Sequence, residues 1–256
     1  MKERSKMDDK ILQILKDAGC YQNPDGTWSC DGDVDLSHLD LTRLPVRFKF
    51  VKGYFDCSWN KLTTLDGTPE KVGGSFWCHY NKLTTLKGGP RDVGGSFYCH
   101  HNRFITLIGS PETVKGDFWC YHNQLTMLEG APEMVGGSFW CSNNQLTTLK
   151  GGPEEVGSSF LCHHNQLATL EGSPRNVGGS FYCHYNQLTT LEGTPETIKG
   201  NFYCHHNQLT TLEGAPEKVE VNFRCDHNQL TTLEGKPEHI GGKFYYYNNP
   251  IYHNKN

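Results

Sequence analysis

Along most of the chain the apolar residues recur in one fixed pattern. An aromatic, a skipped position and a cysteine are followed by two leucines three apart and then by a valine before paired glycines. Asparagine falls at 60, 81, 102, 123, 144, 165, 186, 207, 228 and 249, a step of 21 residues. Cysteine keeps the same step from Cys57 to Cys225. The unit reads Phe-x-Cys-x-x-Asn-x-Leu-Thr-x-Leu-x-Gly-x-Pro-x-x-Val-Gly-Gly-x, and an earlier, degenerate unit puts Val34, Leu36, Leu41, Leu44 and Val51 at its apolar positions. A unit this short cannot bury a core of its own, so the pattern predicts stacked coils in which each repeat covers the next.

Within the unit, Phe-x-Cys has the period of a strand and turns Phe and Cys inward. Equivalent strands on successive coils would form a parallel sheet with a spacing of about 4.8 Å. Asparagine then turns the chain, its amide able to bond backbone groups of its own and adjacent coils. The leucines fill the interior. Gly-x-Pro and Val-Gly-Gly make the return arm, where proline blocks a helix and paired glycines permit tight bends, so the back is expected to be extended or turn-like. Before the repeats, Ile11, Leu12, Ile14 and Leu15 predict an amphipathic capping helix over residues 5–18 that stops at Gly19. The stretch "NPDGTW" predicts the turn of a hairpin. The expected organisation is a cap at 1–32, a solenoid over 33–251 and a tail at 252–256.

The segments "FWCHYNKL" and "FYCHHNQL" resemble the leucine-rich repeat, in which Leu-x-Leu-x-x-Asn-x-Leu marks a strand and an asparagine turn. The resemblance is to the short repeats of bacterial type III effectors, here one residue longer, and to repeat proteins of tailed phages and bacteria with units like "NQLTTLEGAPEKV". It implies a leucine-rich repeat solenoid with a parallel β-sheet on the concave face, an extended or turn-like convex side and an N-terminal α-helical cap. For function it carries little, because a fold does not fix what its surface does.

A formal charge of −4 gives none of the basic excess that phosphate contacts require, so nucleic acid is not the expected partner. No apolar run approaches the roughly 20 residues of a membrane span, and the N-terminus does not read as a signal peptide. The expectation is therefore a cytoplasmic protein, in the host cytoplasm if phage-encoded, whose eleven cysteines are reduced thiols, with a Cys20–Cys30 redox pair as the less favoured alternative for the two outside the ladder.

Candidate chemistry lies at the outward strand positions. Between Phe and Cys the chain presents Trp77, Tyr98, Trp119, Trp140, Leu161, Tyr182, Tyr203 and Arg224. Directly after Cys come His79, His100, His163, His184, His205 and Asp226, with Ser142 as an interruption. A third column at the strand exit runs from Trp59 and Tyr80 to Asn248, and ten of the thirteen histidines fall in the last two columns. Exposed Trp and Tyr on a preorganised sheet are the material of binding hot spots. The expected function is thus a non-enzymatic, protein-binding solenoid, and the phage resemblance suggests an accessory protein that binds and blocks a bacterial defence or regulatory protein.

Three other readings compete. The rings could be strand formers copied by duplication; the columns could sequester a nucleotide or other small ligand; or His163, His184 and His205 could share a transition metal. No catalytic residue, resident metal or cofactor is expected, since no phosphate loop, catalytic Cys-His signature or HExxH helix appears. A ridge at Glu129, Glu171, Glu192, Glu213 and Glu234 would steer a basic partner, and the C-terminal end is a candidate homodimer contact. The histidine columns predict that binding changes between about pH 5.5 and 7.

Overall fold

The computed structural model describes residues 6–253, with side chains from 9 to 251. Its core is a stack of coils. One strand per coil, from Val34–Asp35 to Phe244–Tyr245, pairs in parallel with the next to make an 11-stranded inner sheet. Phe76 sits beside Phe97, Phe118 beside Phe139 and Phe202 beside Phe223, so the register advances by one whole repeat at every step. Phenylalanine rings of successive coils lie 5.0 to 5.9 Å apart along the interior. The Phe, Cys, Leu and Val columns between Phe55 and Leu230 are buried. Burial also pushes the ladder thiols well above the usual range, which leaves them protonated, inert filler.

Each asparagine ties two coils together. Asn102 donates to the carbonyl of Cys99 in its own coil at 3.1 Å and to that of Cys78 in the preceding coil at 3.0 Å. Its Oδ1 accepts from the Leu83 amide at 3.0 Å. The same set recurs at Asn207 with Cys204, Cys183 and Leu188. Buried carbonyls and amides that the turn removes from the sheet are satisfied in this way.

The return arm does more than extend. Short strands such as Lys71–Val72 and Met134–Val135 pair in parallel with their counterparts, forming an outer sheet of nine strands up to Asn176–Val177. Pairing then lapses and resumes as a three-stranded sheet from Thr197–Ile198. At the turn before this arm glycine is obligatory: Gly214 has φ +79°, and an added Cβ would come within 2.4 Å of the Glu192 amide nitrogen.

Helix α1, Lys6–Asp17, covers the first coil with Ile11, Leu15 and Ala18, while Leu12 faces outward. Gly19 stops it at φ +61°, as expected from the sequence. Ser5, placed in the expected helix, and residues 254–256 of the expected tail lie outside the described residues. A hairpin of Cys20–Gln22 and Trp28–Cys30 follows, turning at Gly26 and joining the outer sheet through its second strand. Here one expectation is corrected. Antiparallel pairing sets Cys20 opposite Cys30 with Cα atoms 4.0 Å apart, and the two form a disulfide, so only the nine ladder cysteines are free thiols. At the other end Phe244 and Tyr246 are only partly covered, and a short helix, Pro250–His253, returns Ile251 to bond the Leu230 carbonyl at 2.9 Å.

Candidate protein-binding face

The residues between Phe and Cys and directly after Cys point away from the core, as the alternation requires. They are not held out into solvent. Trp77, Tyr98, Trp119, Trp140, Leu161, Tyr182, Tyr203 and Arg224 are half-buried against one another, as are His79, His163 and His184. His100, His205 and Asp226 are 6%, 5% and 0% exposed, covered by their neighbours. The inner face is therefore a flush pavement of rings.

Stacking along the coil axis sets that pavement. His79, His100 and Tyr121 follow one another at 4.5 and 4.4 Å, and His163, His184 and His205 at 4.5 Å each. The strand-exit column has a feature the sequence reading missed. Every residue from Trp59 to Asn248 that precedes a ladder asparagine has φ between 50° and 55°, the left-handed region. A bulky residue there costs about 1–2 kcal/mol. Ring contacts offset it: Trp59, Tyr80 and His101 stack at 3.8 and 4.1 Å, and Tyr185, His206 and His227 at 4.3 and 4.2 Å. Asn143, Asn248 and the five histidines of that column were the available signal, because Asn and His are enriched in this conformation.

The columns break together near the middle. Ser142 accepts from the Trp140 indole instead of stacking, Asn143 replaces a ring, and Leu161 interrupts the first column. The face is thereby divided into an N-terminal part with Trp59, Trp77, Trp119 and Trp140 and a C-terminal part of tyrosine and histidine.

Close packing changes the acid–base chemistry. Burial, reinforced by neighbouring imidazoles, lowers His79 and His163 to about 4 and His100 and His184 to about 3. His205 falls to about 4 through burial and the nearby Arg224 cation. Those five imidazoles remain neutral across pH 5.5 to 7, so a change of binding in that interval would not come from them. Their Nδ1 atoms, with those of His101 and the Trp77 indole nitrogen, are buried without a hydrogen-bond partner.

The three histidines considered as metal ligands do not converge. His163 and His184 lie face to face with ring planes 15° apart, and His184 and His205 with planes 8° apart, so their lone pairs run side by side. His164, edge-on to both, brings the ligand atoms of His163, His164 and His184 within 4.8 Å of one another. A metal at about 2.0–2.1 Å from each nitrogen would require the stack to open.

Near the C-terminal end, Asp226 accepts from Arg224 Nε at 2.6 Å and Nη2 at 3.2 Å and pairs with His227 Nδ1 at 2.8 Å. Burial alone would raise its carboxyl, but these bonds outweigh burial and hold it below the usual range. Arg224 also reaches the Tyr247 hydroxyl at 3.3 Å. In one coil Phe104 enters the core in place of leucine, while Ile105 and Ile108 stay exposed.

No family model matches the chain and no curated protein matches it. Among solved structures it is similar to YopM from Yersinia enterocolitica WA-314, a leucine-rich repeat protein, with a TM-score of 0.51 and 16% identity. The match covers 97% of this chain and 61% of that one, so the chain spans about three fifths of its neighbour. Repeat period, parallel inner sheet, asparagine turns and this likeness agree: the chain has the fold of a leucine-rich repeat solenoid.

Proposed function

We propose that this solenoid is a non-enzymatic binding scaffold that engages another protein on its aromatic and histidine-rich inner face. The observation that supports this reading is the pavement itself. Rings stacked at 3.8 to 4.5 Å, in part on backbone held in a costly conformation, form a surface fixed before any encounter. Binding to such a surface loses little side-chain entropy, and large flat rings release much water. Leucine-rich repeat folds serve widely as protein-interaction scaffolds, and the phage resemblance favours a bacterial target whose defence or regulatory activity is blocked. Among the described residues no helix is long and apolar enough to cross a membrane. The expected cytoplasmic setting implied that all the cysteines are reduced thiols, and the Cys20–Cys30 disulfide departs from that.

Affinity capture from bacterial lysate tests this reading, with Trp77→Ala, Trp119→Ala and Trp140→Ala combined as the comparison and circular dichroism confirming that the variant folds. A protein retained by the wild type and lost from the folded variant, with cross-links mapping to the inner strands, is the expected result. Equal retention by both, or cross-links confined to the outer sheet, would reject the inner face.

A further inference from the structure

At the N-terminal end of the inner face the pavement opens into a cavity of about 490 Å³. Its lining includes Trp59, Trp77, Tyr98 and Trp119 together with His38, Asp56 and His100. Asp56 is only 8% exposed, and its Oδ1 accepts from the Ser58 amide at 2.8 Å. The next strand places Asp35 in register with it, so two carboxylates stand side by side on neighbouring parallel strands. Asp33 lies two residues before Asp35 and accepts from the Tyr54 amide at 2.9 Å. Among the described residues, none of the three forms an ion pair.

Like charges in register on adjacent strands are unfavourable, and a buried carboxylate without a cation is more so. Burial raises the Asp56 carboxyl, and Asp35 adds to the effect. The Ser58 hydrogen bonds and, least of all, His38 in the lining ease this, while His79 and His100 stay neutral at pH 7 and bring no compensating charge. His100 is 94% buried and its Nδ1 has no partner, which leaves a further polar atom at the cavity unused. Aromatic faces attract cations on their own account, tryptophan most strongly and arginine most often. The cavity holds more than one side chain, and its chemistry asks for positive charge on a flat group.

We propose that this end of the inner face receives an arginine-bearing basic segment of a protein partner, with a guanidinium lodged against the Asp56 carboxylate and the rings of Trp59, Trp77 and Trp119, and with Asp35 on the neighbouring strand at the rim adding to the negative field. The proposal rests on the protein-binding reading above and gives it a location and a partner chemistry. The C-terminal end has no such need, because Arg224 already occupies the equivalent role toward Asp226.

The test is a titration of the full chain, followed by tryptophan fluorescence and calorimetry, with acetyl-Gly-Arg-Gly-Arg-Gly-amide and with the same peptide carrying citrulline, which keeps the shape and removes the charge. Wild type is expected to bind the arginine peptide saturably and the citrulline peptide about tenfold more weakly or worse. Asp35→Asn with Asp56→Asn should lose affinity to the same extent, whereas Glu112→Gln with Glu133→Gln, an equal change of net charge at exposed positions outside the acidic ridge, should not. Equal binding of both peptides, no saturable signal from either, or equal loss in the two double variants would overturn the proposal. A partner that cross-links to the inner face while the peptides fail would sink the basic-segment inference and leave the protein-binding reading standing.

Discussion

Asp226, near one end of the inner face, is wholly buried and is held by Arg224 and His227. Asp56, near the other end, is almost as buried and has the Ser58 amide but no cation. Asp56 directly follows the buried Phe55 and Asp226 directly follows the buried Cys225, so both face outward just before the same asparagine turn. The difference teaches what is shared and what is local in this molecule. Duplication supplies coil, core and turn; single departures from the unit decide whether a charge is satisfied within the chain or left facing a tryptophan-lined hollow.

The largest effect should fall on the shared part and be equal at both ends. Asn102→Ala and Asn207→Ala each strand buried backbone groups of two coils, and each is expected to lower unfolding free energy by about 3–5 kcal/mol in urea melts. Markedly unequal losses would mean that the coils are not equivalent scaffolding. Arg224→Met comes next. It leaves Asp226 buried with His227 alone and should cost about 3 kcal/mol, whereas Asp56, which forms no ion pair among the described residues, has no such bond to lose.

Acid should separate the parts further. A histidine lowered in the folded state contributes stability that is fully present above its unfolded value near 6.5 and is lost as pH falls toward its folded value. Stability should therefore decline from about pH 6.5 toward 4, with each of His79, His100, His163, His184 and His205 contributing at most about 1.4 kcal/mol per pH unit. Tyr121 shows that the column accepts tyrosine, so His100→Tyr should flatten the decline in thermal melts taken from pH 7 to 4. An unchanged slope would remove His100 from the acid response. The smallest effect is Asp56→Asn, which keeps the Ser58 contact, relieves repulsion from Asp35 and should stabilise by about 0.5 kcal/mol at pH 7. That gain should shrink in acid as the native carboxyl takes up its proton.

Much of the architecture was legible because inter-coil packing repeats every 21 residues and so leaves its period in Phe, Cys, Asn and Leu. Gly19 as the helix stop and the asparagine bonds to two coils were readable for the same reason: each follows from one residue's chemistry. The outer sheet was not, since its strands are two residues long and its pairing depends on neighbours rather than on alternation within a segment. Nor was the left-handed strand exit, which Trp59, Tyr80 and Tyr185 occupy against their own preference because stacking and the asparagine bonds determine it. The Cys20–Cys30 pair depended on hairpin register, and the lowered histidines depended on burial, neither of which a list of residues contains. At the candidate site, the outward columns were visible as chemistry, but their degree of burial and the open end at Asp56 were matters of packing.

The asparagine bonds have a further consequence for how the chain is made. Leu83 needs the side chain of Asn102, and Leu188 needs that of Asn207, so a turn is completed by a residue 19 positions downstream. During synthesis the newest coil at the exit of the ribosome always has an unclosed turn, and it closes when the following repeat emerges. Assembly then advances like a zip fastener whose slider trails the growing end by one repeat, and a pause in translation would leave one coil, rather than the whole stack, waiting for its clasp.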